Sequence, residues 1–131
     1  MIADLFSSCL KNNYAISKAN DRKFCCAVIE CDTPEITDIV ERNIRTTMHS
    51  INHRPVPDVV LRSPRYISII AYDRPERMDL ILNTAIIEPF KDTKPNGEHG
   101  KIIVSFAELN GDKTPDEFYE RVLRSKIELT Y

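Results

Sequence analysis

The chain has 131 residues, 42% of them hydrophobic and 29% charged, with a net charge of −2 at pH 7 and a pI near 5.9. This length buries a core without disulfide or metal support, and the near-neutral balance speaks against the basic footprint of a nucleic-acid binder. Three glycines, no apolar run near the ~18 residues of a membrane span, and a start M-I-A-D-L-F-S-S without a basic leader point away from a glycine-rich scaffold, a membrane and secretion. The expectation is one cytoplasmic domain over residues 1–131.

Ile2, Leu5, Phe6, Cys9 and Leu10 fall at helical spacing, which predicts a short amphipathic helix closed by Asn12 and Asn13. Residues 23–31, rich in Phe, Val, Ile and Cys, predict a strand. Thr33, Pro34 and Glu35 then supply an N-cap, a first helical position and an acid at the positive helix end. The helix they open carries Ile36, Ile39, Val40, Ile44, Met48 and Ile51 on one face and ends before Pro55 and Pro57. Residues 57–64 and 65–72 predict two strands. Residues 76–88 fit either a helix or a strand, and Thr84, Ile86 and Ile87 tilt the reading to a strand entered through D-R-P-E. A polar loop over 91–100, holding Asn96-Gly97, precedes a strand over 100–109. T-P-D-E at 114–117 opens a last helix as a capping box, with a short strand K-I-E-L-T-Y after it. Together these give an α+β fold: a mainly antiparallel sheet of four or five strands, covered on one face by two or three helices.

Three of the four cysteines lie in K-F-C-C-A-V-I-E-C. On a strand Cys25 and Cys31 share a face but stand about 20 Å apart, too far for one metal or a disulfide. They are expected to be reduced core residues, as in a reducing compartment. Cys31, beside a helix start, is the one thiol whose pKa a helix end could lower, the alternative to a core role.

Phosphate-binding, zinc-protease and nucleophile-elbow motifs are all missing, and Glu98-His99 sits in a polar loop. Neither catalysis, a metal nor a cofactor is therefore expected. Charge is distributed unevenly instead. Residues 42–77 hold seven arginines against three acids, and both flanking segments are acidic. Arg42, Arg45, His49 and His53 share an arc of roughly 80° opposite the apolar helix face. Arg54, Arg62 and Arg65 follow in the chain. Guanidinium groups suit carboxylate surfaces. The expectation is a non-enzymatic binding protein (an inhibitor, immunity-type protein or adaptor) whose arginine patch meets an acidic protein partner; pairing of these arginines with the chain's own carboxylates is the competing account. Nucleic-acid binding is a further alternative.

D-I-V-E-R-N-I-R-T-T-M-H at 38–49, followed by Pro55 and V-V-L, resembles the helix-then-strand of the lysozyme-like baseplate wedge family of contractile phage tails. That resemblance implies a structural subunit of a viral or phage assembly as another alternative.

Overall fold

The computed structural model describes residues 2–51, 59–72, 74–91 and 100–130. The helix α1 (Ile2–Asn20) leads into β1 (Cys25–Cys31), then α2 (Pro34–Ile51) and the hairpin β2 (Val59–Arg62) to β3 (Tyr66–Ala71). A helical stretch follows, made of α3 (Pro75–Leu82), a π-helical turn (Asn83–Ile87) and α4 (Glu88–Lys91). The chain ends in β4 (Lys101–Glu108), α5 (Pro115–Arg124) and β5 (Lys126–Thr130). Among the described residues these strands form one antiparallel sheet, in the order β2-β3-β1-β4-β5. The α+β class and the five antiparallel strands agree with the sequence reading.

β1 lies at the centre and, apart from Glu30 near its end, is apolar on both faces. Cys25, Ala27, Ile29 and Cys31 point into a core with Val40, Ile44 and Met48 of α2 and Met78, Ile81 and Leu82 of α3. Phe24, Cys26 and Val28 point into a second core with Phe6 and Leu10 of α1 and Phe118 and Val122 of α5. Helices thus cover both faces of the sheet, where one covered face was expected. A central strand with no polar alternation needs cover on each side. Cys25, Cys26 and Cys31 are buried, as expected of core thiols.

Helix α1 runs through Asn12 and Asn13, where termination was expected. Asn13 is buried: its amide donates to the Cys9 carbonyl at 2.7 Å, and its side-chain oxygen accepts from the Tyr72 hydroxyl at 2.7 Å. A tertiary bond from β3's end thus satisfies a residue that would otherwise break the helix. The stop falls at Asp21, whose φ of 51° is left-handed, and Arg22 N–H closes on the Ser17 carbonyl at 3.0 Å. The caps at Thr33 and Thr114 form as predicted, with Thr114 Oγ1 accepting from Glu117 N–H at 3.0 Å.

The strand expected over residues 76–88 is a helix. Pro75 sits at its first turn, and Met78, Ile81, Leu82, Ala85 and Ile86 are buried at helical spacing. The β-branched residues lose to that burial. The π turn has a covalent cause: Pro89 has no N–H for the Ala85 carbonyl four residues back, and its ring crowds it. Glu88 N–H reaches back five residues to Asn83 instead, and Asn43 of α2 donates to Ala85 at 3.1 Å. Asn43→Leu leaves that carbonyl without its side-chain donor, so unfolding in urea is expected to need about 1–3 kcal/mol less.

Candidate functional site

Two arginines of the patch, Arg45 and Arg62, pair with the chain's own carboxylates. Arg62 of β2 reaches across to α2, placing its guanidinium 2.5 Å from Asp38 and 3.7 Å from Glu41. Arg45 pairs with the same Glu41 at 3.1 Å. Arg65 Nε donates to the Cys31 carbonyl at 3.2 Å, which ties the β2–β3 hairpin to the end of β1. Arg42 and His49 are exposed on α2, while His53 and Arg54 lie outside the described residues, as do Glu98 and His99. Arg45 and Arg62 therefore meet at one carboxylate, and together with Asp38 they form a clasp between β2 and α2. Pairing with the chain's own acids is what the geometry shows for these two.

Cys31 does not carry a lowered pKa. Burial pushes its thiol up, with Asp32 and Glu30 adding to the rise, against a hydrogen bond from Thr37 and the charge of Arg62. The helix start beside it does not offset the cost of an anion in the core. Cys26 is pushed up in the same direction, chiefly by burial. Among the described residues no three His, Cys, Asp or Glu side chains gather as a metal set.

A different place has the form of a ligand site. On the sheet face shared with α1 and α5, a groove of about 540 Å³ opens beyond the edge of the second core. Strand register sets its floor: Tyr66, Glu30 and Ile103 lie in one cross-strand row. Ser68, Val28, Ser105 and Lys126 lie in the next. Phe6 of α1 and Tyr119 and Leu123 of α5 form the walls, with the Phe6 and Tyr119 rings 5.4 Å apart. A volume in this range, a mainly apolar wall and a few convergent polar groups are what small-molecule sites share.

The electrostatics of the floor are asymmetric. Glu30 is half-buried on the central strand, and Tyr66 beside it has its pKa raised, first by burial and then by the Glu30 carboxylate, to which it hydrogen-bonds. Lys126 brings a cation to the far side. With strands ~4.8 Å apart and ~3.3 Å per residue, the Cα atoms of Glu30 and Lys126 stand roughly 12 Å from one another. The floor thus carries a carboxylate on one side and an ammonium on the other, with aromatic rings on the walls. None of these residues was picked out from the sequence. The signal was there, as Glu30, Ser68 and Ser105 are the polar interruptions of three apolar strands. Seeing that they share a face needs the register.

No family model and no curated protein matches the chain. Solved structures do. The GGDEF domain of DgcB from Caulobacter crescentus in complex with c-di-GMP superposes with a TM-score of 0.63 at 16% identity, over 91% of this chain and 78% of that one. The active GGEEF domain of a diguanylate cyclase from Vibrio cholerae gives 0.62 at 14% identity, over 89% and 82%. The diguanylate cyclase SiaD in complex with its activator SiaC, from Pseudomonas aeruginosa, gives 0.62 at 13% identity, over 93% of this chain and 52% of that one. At these identities the likeness shows the fold.

That finding corrects the functional expectation. The chain has the architecture of diguanylate cyclase domains, an enzyme's fold, so the non-enzymatic inhibitor, immunity protein or adaptor is overturned. Sequence reading missed this because the letters that name these domains, read as residues, begin Gly-Gly. The three glycines here are Gly97, Gly100 and Gly111, no two adjacent. No helix among the described residues is long and apolar enough to cross a membrane.

Proposed function

We propose that this is a nucleotide-handling domain on the diguanylate cyclase fold, and that the groove takes a guanine nucleotide. The observation that supports this best is the set of groups lining the groove: a carboxylate and an ammonium on its floor and aromatic rings on its walls. Guanine presents two adjacent donors, N1–H and the N2 amino group, which one carboxylate accepts together. Adenine turns a lone pair to the same position and is disfavoured. The base lies against Tyr66 and Tyr119, and the phosphate meets Lys126, with the Ser68 and Ser105 hydroxyls on the floor between. The neighbour whose structure holds c-di-GMP supports the same ligand chemistry.

Titration calorimetry with GTP, GMP, c-di-GMP and ATP tests this directly. Guanine ligands are expected to bind and ATP to bind far more weakly. Glu30→Gln exchanges one acceptor for a donor facing guanine. The expected loss is about 2 kcal/mol, roughly 30-fold in affinity. Absence of binding by every guanine ligand at millimolar concentration ends the reading. Chromatography of GTP incubated with the protein then shows whether binding leads to a cyclic product.

A protein partner is a second reading, favoured by the Pseudomonas neighbour in complex with its activator. Arg42 and His49, exposed on α2 beside the equally exposed Arg45, are the residues by which this chain would meet one.

A further inference from the structure

Among the described residues the sheet ends at β5, which pairs with β4 on one side and is the last strand in the order. An edge of this kind presents a row of backbone donors and acceptors to whatever approaches it. Its side chains are exposed apart from half-buried Leu129, and Ile127, at 61%, is the most exposed large hydrophobic side chain among the described residues. Neither burial in the fold nor the groove accounts for Ile127.

We propose that β5 pairs antiparallel with β5 of a second copy, about a two-fold axis through Ile127. The register follows from elementary geometry. Facing residues of an antiparallel pair share a sheet face and turn their backbone groups the same way, so a two-fold axis passes through a residue and never between two. An axis at Lys126 sets two ammonium groups against each other, and an axis at Glu128 sets two carboxylates against each other. An axis at Leu129 sets Glu128 opposite Thr130, which offers it no opposite charge. The axis at Ile127 alone places Lys126 opposite Glu128 of the second copy, and Glu128 opposite its Lys126, with the two Ile127 side chains in contact. Opposite charges directly across a pair favour it and like charges oppose it. One strand sequence, K-I-E, is therefore complementary to itself in a single register, as an isologous interface requires.

The pairing has a consequence for the groove. Lys126 and Glu128 lie on the groove face, opposite Ser105 and Ile103. The row Tyr66, Glu30, Ile103, Glu128 would run on into Lys126 of the second copy, and both grooves would open on one continuous sheet face. Lys126 has three donors, enough for a phosphate and a carboxylate together.

Sedimentation equilibrium without nucleotide tests the pairing independently of the proposed ligand. The wild-type chain is expected to dimerise, more weakly as salt rises. Lys126→Glu and Glu128→Lys each create two like-charge contacts and are expected to weaken the dimer at least roughly tenfold. The double exchange Lys126→Glu with Glu128→Lys restores opposite pairs and is expected to recover most of the affinity. Glu128→Gln, which removes attraction without adding repulsion, should fall between. Far-UV circular dichroism checks that each variant is folded. A wild-type chain that stays monomeric at its highest soluble concentration overturns the proposal. So does a dimer indifferent to the single reversals, or one that the double exchange fails to restore.

Discussion

Replacing Asp112 by alanine is expected to lower the unfolding free energy by about 3 kcal/mol, the range for breaking a buried ion pair. Asp112 is 5% exposed and sits between β4 and α5. Arg121 grips it with two bonds, Nε to Oδ1 at 3.0 Å and Nη2 to Oδ2 at 2.8 Å, while the same Nη2 also donates to the Glu108 carbonyl. Its backbone carbonyl accepts from the Tyr14 hydroxyl at 2.6 Å, so one loop residue joins α5, β4 and α1. Removing the carboxylate leaves Arg121 with the Glu108 carbonyl alone; the guanidinium is about one-third exposed, which keeps the cost at the lower end. The Arg121 hydrogen bonds hold the Asp112 carboxyl below its usual pKa, against the opposing push of burial, and the Asn110 N–H helps. A depressed folded pKa means stability that is fully present above the unfolded value near ~4 and is lost as pH falls below it. The difference between wild type and Asp112→Asn in urea unfolding should therefore shrink as pH drops from 5 towards 3. A difference that stays constant across that window would show that the charge contributes nothing.

Phe118→Ala is expected to cost more, about 3–5 kcal/mol, as for a fully enclosed aromatic ring. Phe118 is 0% exposed and meets Phe24 edge-on, with ring centroids 5.3 Å apart, while the Arg121 guanidinium lies 5.5 Å from its own ring centre. It is the residue that presses α5 onto the sheet, and α5 supplies Tyr119 and Leu123 to the groove wall. Loss of the anchor should thus weaken guanine-nucleotide binding as well as stability. Phe118→Leu, which keeps most of the volume, separates the two: it should recover much of the stability and more of the binding. Thermal unfolding and calorimetry on the same preparations give both readouts.

Sequence alone determined the elements whose signals are local. Thr33-Pro34-Glu35 and Thr114-Pro115 open helices because cap, fixed φ and helix dipole act within one turn. The apolar stripe of α2, the strands around Cys25–Cys31 and Lys101–Glu108, and the core role of the buried cysteines were equally legible, since side-chain periodicity needs no partner to be read. Tertiary structure decided the rest. Asn13 continues α1 only because Tyr72 reaches it, and residues 75–91 are helical because α2 offers a face to bury Met78, Leu82 and Ile86, with Asn43 to take the carbonyl that Pro89 orphans. Arg62 was visible in the sequence, but its pairing with Asp38 and Glu41 spans two elements. The groove was invisible for the same reason: Glu30, Ser68, Ser105 and Lys126 stand far apart in the chain and become one floor only when four antiparallel strands fix their register. A side chain's neighbours along a strand are written in the sequence; its neighbours across the sheet are set by hydrogen-bond pairing and by which face is buried.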